Sequence, residues 1–449
     1  MSLNKSVSYI STRNNFLNER FKKNQTIKFI DLFAGMGGTR IGFNDALIEK
    51  GLIGECVFTS EIKKHAIKSY QQNFKTETIY GDITKIEPKN ISDFDYLLAG
   101  FPCQPFSNAG NRQGFLDKRA GLFFTILNIL KEKKPKGFLL ENVDSLVTHN
   151  KGKTIKLINS KLKNLGYFVN YKILNSFDFG VAQKRKRVYI IGSLEKKPQF
   201  IAFNKIHKKA KEFIEYKFNF KESNFSKLLI SKFSKKFLEG KSIQDRRGGS
   251  NNIHSWDLGL KGKVNKRSRM LLSQISKKRR YKKWAKNKDI NWMDGMPLTL
   301  NEIKTFISCK HLEEDIKYLT KSGYLRFEHP KEIKIVNGIK KRVYKTSVEK
   351  GYNIVSGKLS FPISKILDPD SHVPTIVATE IGKLAVATKN GVRSINVNEG
   401  IKFFGFPSSY NFDNIEYKDA FDLLGNTVIP PVIKYVTKCL IDIKNDVSK

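Results

Sequence analysis

The chain has 449 residues, which is long enough to bury a large core and suggests two or three domains. Its 82 lysine and arginine residues outnumber 42 acidic residues and give a net charge of +40. A charge of this size excludes an ordinary solvated surface and favours a polyanionic partner, with nucleic acid ahead of an anionic membrane surface.

The cysteines and the apolar segments exclude several other classes of protein. The four cysteines form no Cys-x-x-Cys pair and no histidine pair has zinc spacing, so neither a disulfide framework nor a metal site is predicted. No segment approaches the roughly 18 apolar residues of a membrane span. Residues 1–25 form a polar, basic arm without the apolar core of a signal peptide. A cytosolic protein without a membrane partner is therefore expected.

The first predicted βα unit carries a glycine-rich turn. Residues 27–33 are typical of a strand that runs into Ala34-Gly35-Met36-Gly37-Gly38, and a helical pattern begins at Ile41. Because a backbone without Cβ atoms lets a ligand approach closely, this order indicates a nucleotide-type site. The signal is weak by itself, since many βα turns use glycine for steric reasons alone and the spacing differs from Gly-x-Gly-x-x-Gly.

The next two predicted strands each end at an acidic residue. The strand 56–59 ends at Glu61, and the strand 78–80 is closed by Gly81-Asp82-Ile83. Acidic groups at successive strand ends are well placed to accept hydrogen bonds from a ribose and an adenine amine. Each of them could equally cap a turn.

A cysteine follows the next predicted strand. The apolar run 96–99 is typical of a buried strand that ends at Gly100, and Cys103 stands just beyond it between two prolines. Open α/β sheets build their sites at this end of the strands, where an activated thiolate could attack an electron-poor carbon. Considered alone, Cys103 could equally be a small buried residue.

The alternation of strands and helices continues to residue 192. The predicted elements are a helix over 122–131, a strand over 137–140 that ends in Glu141-Asn142-Val143, a helix over 153–165, and strands over 167–174 and 188–192. Repeated βα units of this kind predict an α/β fold with one mostly parallel sheet and helices on both faces.

Residues 196–395 break this pattern and are rich in lysine. Between 261 and 290, thirteen lysine and arginine residues face one acid, with Tyr281 and Trp284 interleaved. A charge run is usually a solvated helix face, but this density with aromatic residues favours phosphate contact, here by Lys278, Arg279, Arg280 and Lys282. Upstream, guanidinium and amide groups on a flexible backbone could contact base edges, at Arg246, Arg247, Asn251 and Asn252. Downstream, two short helices over 298–321 and a strand over 323–327 suit a small winged-helix unit.

These motifs resemble, in content and order, those of the DNA cytosine-5 methyltransferases over most of the chain outside the middle region. Any one of them could arise by chance, but eight in family order are specific. The eight are Asp31–Gly38, Glu61, Asp82-Ile83, Phe101-Pro102-Cys103-Gln104, Glu141-Asn142-Val143, Gln183-x-Arg185-x-Arg187, Arg393 with Glu399 and Phe406-Pro407, and Gly425-Asn426-Thr427-Val428.

The resemblance implies a Rossmann-like, S-adenosylmethionine-dependent catalytic domain. Cys103 would add to carbon 6 of cytosine, Glu141 would act as a buried acid at N3, and Arg185, with Arg187 less directly, would donate at O2. Alternatively, Glu141 could cap a helix or turn, and Arg185 could contact a phosphate group or a sheet edge. The residues implied to hold S-adenosylmethionine are Phe33, Gly35, Gly37, Glu61, Ile62, Asp82, Ile83, Pro102, Leu122, Asn426, Thr427 and Val428.

The implied substrate is double-stranded DNA with the target nucleotide flipped out of the stack. Gln104, Ser107 and Gln183 are the DNA contacts expected from the motifs, and 107–121 resembles the family's mobile catalytic loop, whose glycines suit a lid. Because the last motif completes the cofactor pocket, the C-terminal helix must fold back onto the first domain.

Two domains are therefore predicted. Residues 1–195, completed by 421–449, form the catalytic domain, residues 196–395 form a smaller basic DNA-recognition domain, and 396–420 form a hinge. We expect a monomer in the bacterial cytoplasm that protects host DNA within a restriction–modification system. A cognate restriction endonuclease would act on the same site without direct contact.

Three alternative functions are weighed against this reading. The large middle domain argues against an RNA (tRNA) cytosine-5 methyltransferase, and intact Cys103, Glu141 and Arg185 argue against a catalytically silent DNA-binding module. An amino-group methyltransferase would need an Asp/Asn-Pro-Pro-aromatic motif, whereas the only Pro-Pro pair is Pro430-Pro431.

Overall fold

The computed structural model describes residues 26–74, 78–102, 121–291, 295–336, 339–356, 361–377 and 381–441 of the chain. The predicted basic arm (1–25) and most of the predicted catalytic loop (107–120) lie outside these residues. The chain divides into two compact units. Unit 1 comprises Met1–Glu215, Pro369–Gly382 and Ile395–Lys449, and unit 2 comprises Tyr216–Asp368 and Lys383–Ser394.

The predicted domain boundaries can be compared with these units. The predicted hinge, 396–420, belongs to unit 1, and so does the stretch Pro369–Gly382 from the predicted recognition segment. The assignment of catalysis to 1–195 with 421–449, and of DNA recognition to 196–395, stays a prediction.

Unit 1 is built on one twisted sheet. Its described strands are β1 (Thr26–Leu32), β2 (Ile53–Ser60), β3 (Ile79–Tyr80), β4 (Tyr96–Gly100), β5 (Gly137–Val143), β6 (Phe168–Asn175) and β7 (Lys186–Ser193). They lie in the order β3-β2-β1-β4-β5-β7-β6, and every neighbouring pair is parallel except β5–β7 and β6–β7. The predicted mostly parallel α/β sheet is confirmed.

The central strands are apolar because both faces of the sheet are covered. The side chains of Leu97, Leu98 and Ala99 in β4 and of Leu139 and Leu140 in β5 are fully buried. Strands of a parallel sheet that carries helices on both faces are continuous apolar runs of this kind. Polar side chains therefore concentrate where the strands end.

Helices and short 3-10 turns connect the strands of both units. The described helices are α1 (Gly38–Glu49), α2 (Lys64–Asn73), α3 (Gly121–Lys133), α4 (Lys153–Lys163), α5 (Asn224–Lys232), α6 (Lys235–Leu238), α7 (Ser255–Leu258), α8 (Lys266–Lys278), α9 (Lys282–Asn287), α10 (Leu300–Lys304), α11 (Leu312–Lys321), α12 (Val397–Phe403), α13 (Tyr417–Asn426) and α14 (Pro430–Leu440). None of the helices in the described part of the chain is long and apolar enough to cross a lipid bilayer.

Unit 2 contains a mixed sheet and two separate strand pairs. Its described strands are β8 (Ser242–Ile243), β9 (Asn252–Ile253), β10 (Leu325–Glu328), β11 (Lys331–Val336), β12 (Ile339–Tyr344), β13 (Gly351–Ile354), β14 (Lys365–Ile366), β15 (Leu384–Thr388) and β16 (Gly391–Ser394). The sheet has the order β16-β15-β14-β8-β9, and the pairs β10–β13 and β11–β12 are antiparallel. The predicted pair of short helices and following strand are present as α10, α11 and β10.

The C-terminal helix packs against the first helix of unit 1. A Cβ atom added at Gly42 in α1 would lie 2.4 Å from the carbonyl oxygen of Pro430 and 2.6 Å from Cβ of Ile433. At the outer end of the contact, Glu49 accepts ion pairs from Lys434 and Lys438. The predicted return of the C-terminal helix is confirmed, and it depends on the absence of a side chain at Gly42.

We predict that Gly42→Ala lowers the thermal stability of the protein. The added methyl group must displace the backbone of α14, and overpacking of this kind costs about 1–3 kcal/mol. Thermal unfolding followed by calorimetry measures the effect. Gly81→Ala is the matched control, because a Cβ atom there would meet nothing within 4 Å. Equal melting temperatures for the two variants would contradict the packing argument.

Candidate active site

A cavity of about 500 Å³ opens in unit 1 where β1, β2, β4 and β5 end. Ligands of open α/β sheets bind outside the carboxyl ends of the strands, so the position is the expected one. The cavity collects most of the residues that the sequence assigned to cofactor and catalysis: Phe33, Gly35, Glu61, Ile62, Asp82, Ile83, Pro102, Leu122, Glu141, Arg185, Arg187, Asn426, Thr427 and Val428.

The glycine turn after β1 has two glycines with different roles. Gly35 has a φ of 55°, and a Cβ atom built on it would meet nothing within 4 Å, so its backbone faces open space. Gly37 lies outside the cavity lining. A Cβ atom there would lie 2.3 Å from Cε2 of Phe74, so this glycine serves the packing of α1 and α2. Only Gly35 offers a ligand the close backbone approach predicted for both.

Glu61 joins the glycine turn to the start of α2. Its Oε2 accepts a hydrogen bond from the Gly35 N–H at 2.8 Å, and its Oε1 accepts from the N–H groups of Ile62 and Lys63 at 2.8 and 2.9 Å. The two roles weighed for Glu61 are compatible, because the carboxylate caps a turn and also lines the cavity, where a ligand could reach it.

Asp82 is likewise both a cap and a cavity residue. Its Oδ1 accepts from the N–H and the hydroxyl group of Thr84 at 3.0 and 2.7 Å. These hydrogen bonds hold the pKa of Asp82 below its ordinary value. An ionised carboxylate at the rim of the cavity is a hydrogen-bond acceptor only.

The ends of β4 and β5 are fastened to each other. Gly100 is paired with Glu141 in the parallel register, and Asn142 Nδ2 donates to the carbonyl oxygen of Phe101 at 3.0 Å. Pro102 lines the cavity directly beyond this contact. Cys103, Gln104 and Ser107 lie outside the described residues, so their predicted roles stay predictions.

Glu141 is a buried carboxyl group that forms an ion pair with Arg187 and also feels the charge of Arg185. Its Oε1 lies 3.2 Å from Nε of Arg187, which is opposite Val143 in the antiparallel register of β5 and β7. Burial raises the pKa of Glu141, although the charges of Arg187 and Arg185 act in the other direction. Burial therefore makes the protonated form of this acid easier to populate than in an exposed glutamate, and the protonated form can donate as well as accept a hydrogen bond.

Arg185 lies differently from the expected donor at a reacting oxygen. Its Nη1 donates to the carbonyl oxygens of Ile376 and Gly425 at 3.0 and 3.3 Å, and its Nη2 donates to that of Thr427 at 3.0 Å. Burial, followed by the charge of Arg187, lowers the pKa of Arg185 to about 10. The guanidinium group thus holds three carbonyl groups from two backbone segments, whereas Arg187 is the arginine that contacts the Glu141 carboxyl group.

The segment after α13 closes another part of the cavity wall. Asn426, Thr427 and Val428 line it, and Asn426 Nδ2 donates to Asp422 Oδ1 at 3.1 Å. Asp422 also accepts from His65 Nε2 at 2.9 Å. Burial raises the pKa of Asp422, but hydrogen bonds from His65 and Lys63 outweigh it, and the pKa is lowered overall. This carboxylate joins α2 to α13 beside the cavity.

Sequence reasoning missed several lining residues. Most of them stand inside or next to a motif that was singled out, namely Ala34, Thr39, Ser60, Lys63, Ala66, Gly100, Phe101, Asn142, Val143, Leu423 and Gly425. Val377 is different, because it comes from the stretch Pro369–Gly382, in which the sequence shows no motif. Only the packing of this stretch into unit 1 identifies it.

The described residues that were predicted to contact DNA belong to both units. Gln183 is fully buried in unit 1, where its Oε1 accepts from the Ile376 N–H at 3.3 Å, so it lies away from the surface that nucleic acid could reach. Arg279 in unit 2 is also buried, and it donates to Asn353 Oδ1 and to the carbonyl oxygen of Arg246. The remaining predicted contacts of unit 2 are exposed or half-buried: Arg246, Arg247, Asn251, Asn252, Lys278, Arg280 and Lys282.

We predict that the Glu141→Gln variant changes the pH dependence of stability. A carboxyl group whose pKa is raised on folding stabilises the protein below its ordinary pKa of 4.5 and loses that contribution as the pH rises through the folded-state value. Glutamine keeps the shape without the titration. The melting temperature of the variant relative to the parent protein should therefore be higher at pH 8 than at pH 4. An unchanged difference between the two pH values would contradict the raised pKa.

We predict that Arg185→Met is more destabilising than Arg187→Met. The first variant leaves three buried carbonyl groups without their charged donor, for a loss of about 3 kcal/mol or more. The second removes a donor from Glu141, which can take up a proton instead. Thermal unfolding of both variants measures this difference, and a larger loss for Arg187→Met would contradict the assigned roles.

Comparison with known proteins finds relatives that match most of the chain. Residues 27–442 match the family model described as C-5 cytosine-specific DNA methylase. Type II methyltransferase M.NlaIV from Neisseria lactamica is 50% identical over 424 residues, which cover 93% of this chain and 99% of the relative. Type II methyltransferase M.BanI from Aneurinibacillus aneurinilyticus is 40% identical over 443 residues, which cover 92% and 95%.

A solved structure shares the fold. The crystal structure of S. pombe Dnmt2 methyltransferase superposes with a TM-score of 0.53 and 17% identity, covering 92% of this chain and 98% of that one. At this identity the likeness concerns the fold alone. The family model and the two curated relatives each span most of the chain. The protein therefore belongs to the C-5 cytosine-specific DNA methylase family.

Proposed function

We propose that this protein transfers a methyl group from S-adenosylmethionine to carbon 5 of a cytosine in double-stranded DNA, as the modification enzyme of a restriction–modification system. The observation that carries the proposal is that Glu141 lies beside Arg187 in the cavity that also contains the predicted cofactor residues. Its buried carboxyl group lies 3.2 Å from Arg187 Nε, in the same cavity as Gly35, Glu61 and Asp82. One cavity thus combines groups suited to a nucleoside cofactor with an acid–guanidinium pair suited to a base.

The cavity lining fits S-adenosylmethionine. The open space at Gly35 permits close approach of a ligand to the backbone, and Glu61 and Asp82 can accept hydrogen bonds from hydroxyl and amine groups of a nucleoside. The volume of about 500 Å³ lies within the range of small-molecule sites. When bound, the cofactor supplies an electrophilic methyl group. Phe33, Ile83, Leu122 and the segment 426–428 provide the surrounding wall.

Cys103 is assigned as the nucleophile. Carbon 5 of cytosine is too weak a nucleophile to take a methyl group unaided, so a bond from Cys103 Sγ to carbon 6 must first move the electron pair of the 5,6 double bond onto carbon 5. Once carbon 5 carries the methyl group, its proton passes to solvent and the electron pair of the carbon–hydrogen bond restores the 5,6 double bond. The sulfur–carbon bond then breaks, the thiolate returns, and the proton at N3 goes back to Glu141. Methylation thus regenerates the enzyme without a further reactant.

Glu141 and Arg187 are assigned to the base itself. The protonated carboxyl group of Glu141 holds a proton at N3 and accepts from the 4-amino group, which requires the raised pKa that burial produces. The Arg187 guanidinium donates to the negative charge that develops near O2. Arg185 acts through the backbone segments that it holds and is therefore a positioning residue in this proposal.

Access to the base requires the duplex to open locally. Carbon 5 is enclosed in the base stack, so the target nucleotide is flipped out, and the loop over 107–121 is assigned as the lid that covers it. Unit 2 carries much of the positive charge of the chain and is assigned to recognition of the DNA sequence. Contacts with several phosphates should make binding strongly dependent on salt.

The names of the curated relatives support the biological assignment. Both are type II methyltransferases of bacteria. We therefore assign this protein to the bacterial cytoplasm as a monomer that marks host DNA. A restriction endonuclease that cleaves the same unmethylated sequence would be its functional counterpart, without contact between the two.

The proposal predicts methylation of one sequence context. The purified protein is incubated with S-adenosylmethionine and unmethylated bacterial DNA, and 5-methylcytosine is located by conversion sequencing. We expect one recurrent context, no product with Cys103→Ser, and a loss of roughly 100-fold or more in rate with Glu141→Gln. Calorimetry of cofactor binding is the control, because both variants should bind S-adenosylmethionine like the parent protein.

Other outcomes would redirect or overturn the proposal. Methylation of transfer RNA without methylation of duplex DNA would make RNA the substrate. If neither nucleic acid is modified while the cofactor binds normally, the catalytic role of Cys103 is wrong.

A further inference from the structure

Unit 2 contains a small subdomain that has its own apolar core. Leu272, Ile275, Leu298, Leu319 and Ile354 are buried together in it. The chain passes through α10, α11, β10, the antiparallel pair β11–β12 and β13, and β13 pairs with β10 and also forms a bridge from Tyr352 to Leu298. This order extends the helix–helix–strand pattern predicted for a winged-helix unit. We call the β11–β12 pair the ribbon.

The second helix of the subdomain is poorly suited to a polyanion. The first turn of α11 carries Glu313, Glu314 and Asp315. Asp315 is already engaged, since it accepts from Arg267 Nη2 at 3.1 Å and from Ser268 Oγ at 2.8 Å. These bonds fasten α11 to the start of α8. The helix therefore serves packing, and its exposed acids repel phosphate groups.

The ribbon has the opposite charge. Six of the residues between 331 and 345 are basic and one, Glu332, is acidic. Glu332 forms an ion pair with Lys334 at 3.0 Å. In the register of the ribbon, Lys331 is opposite Tyr344 and Ile333 is opposite Arg342, which places these four residues on one face and Glu332 on the other. One face of the ribbon is thus basic and free of acidic residues in the described structure.

That basic face also exposes apolar side chains. Ile333 is 47% exposed and Ile335, two residues further along the same face, is 72% exposed. The ribbon has six registered pairs and is about 20 Å long at about 3.4 Å per residue. A two-stranded ribbon of this size fits the major groove of B-DNA, where apolar side chains can contact thymine methyl groups. Charge, shape and exposed apolar groups therefore point to the same partner.

Hydrogen bonds hold the base of the ribbon to the subdomain. Arg279 Nη1 donates to Asn353 Oδ1 at 2.8 Å, Asn353 Nδ2 donates to Glu328 Oε1 at 2.8 Å, and the hydroxyl group of Tyr344 donates to Glu328 Oε2 at 3.1 Å. Lys345 Nζ adds a bond of 2.7 Å to the carbonyl oxygen of Asp289. These bonds restrain the base of the ribbon, which reduces the entropy lost on binding.

A basic cavity of about 230 Å³ lies at the foot of the ribbon. Arg326, Lys331 and Arg342 line it together with one acid, Glu328. Arg326 and Arg342 are exposed. Within the described residues, Arg342 has no acidic partner, and Arg326 lies 3.9 Å from Glu328, whose oxygens are bound by Asn353 and Tyr344. Guanidinium groups in such a cavity match the geometry of a phosphate group.

We infer that the ribbon is the surface by which unit 2 docks on duplex DNA, with a backbone phosphate held in the cavity between Arg326, Lys331 and Arg342. This inference rests on the proposed function and specifies which surface of unit 2 contacts the substrate. The helix α11 is a packing element in this arrangement. The buried Arg279 acts as a positioning residue for the ribbon rather than as the direct DNA contact expected from the sequence.

The test compares two triple variants of the full-length chain. The ribbon variant carries Arg326→Gln, Lys331→Gln and Arg342→Gln. The control carries Lys310→Gln, Lys317→Gln and Lys321→Gln, which removes three exposed positive charges in and beside α11 of the same subdomain. Binding to a short unmethylated duplex that contains the target sequence found by conversion sequencing is measured by fluorescence anisotropy at several salt concentrations. Cofactor binding and melting temperature are measured on both variants.

We expect the ribbon variant to lose roughly tenfold to a hundredfold in duplex affinity at low salt and to flatten the salt dependence by about two to three in log–log slope. The control variant should lose less than about threefold, and both should bind S-adenosylmethionine and melt like the parent protein.

Three outcomes would overturn the inference and are distinguishable. If the two triple variants bind duplex DNA equally well, or the control loses more affinity, the ribbon is not the docking surface although the parent protein still methylates DNA. A loss by the ribbon variant that is confined to an RNA duplex would assign the surface to another nucleic acid. If the parent protein neither binds nor methylates DNA, the proposed function fails and this inference fails with it.

Discussion

The cavity of unit 1 depends on one buried guanidinium group. Arg185 donates to the carbonyl oxygens of Ile376, Gly425 and Thr427, which belong to two segments that follow it by 191 to 242 residues in the chain. A buried charge without partners would cost several kcal/mol, so these segments must meet at Arg185 for the unit to be stable. Their meeting brings Val377 and the segment 425–428 to the ends of the central strands. The cavity wall is therefore a consequence of satisfying this group.

The chemistry proposed for the cavity depends on the low polarity around Glu141. The side chain projects from the end of a strand whose preceding residues are fully buried, and its charged neighbour, Arg187, comes from the adjacent antiparallel strand. Burial and the arginine charge act on the carboxyl pKa in opposite directions, and burial is the larger effect. The result is an acid that holds its proton more strongly than an exposed glutamate does, beside a permanent donor. A carboxyl group with a raised pKa and a positively charged guanidinium group are thus held side by side.

Unit 2 separates its charges by element. In the small subdomain, acids cluster in the first turn of α11 and are partly engaged by Arg267 and Ser268, whereas the ribbon collects basic residues on a face that also exposes Ile333 and Ile335. The total charge of the chain would not reveal this separation. A basic run such as 261–290 is dense in the sequence, yet it forms α8 and α9, with Arg279 turned into the interior. Density of charge along the chain and density on a surface are different quantities.

The sequence by itself determined the α/β class and the strand ends that carry Gly35, Glu61, Asp82 and Glu141, because local apolar patterns and turn residues specify elements within a few residues. The return of the C-terminal helix was predicted from the resemblance of its preceding motif to a family motif. The tertiary structure alone decided which of two similar residues has which role. Arg185 and Arg187 are two positions apart, yet Arg185 holds backbone carbonyl groups and Arg187 contacts Glu141. Gly35 and Gly37 are also two positions apart, yet Gly35 faces open space and Gly37 packs against Phe74. Only long-range contacts distinguish the members of each pair. The same holds for Gln183 and Arg279, which are polar in sequence and buried in the fold. Both side chains are buried beside hydrogen-bond partners that are distant along the chain. A local sequence pattern cannot identify such partners.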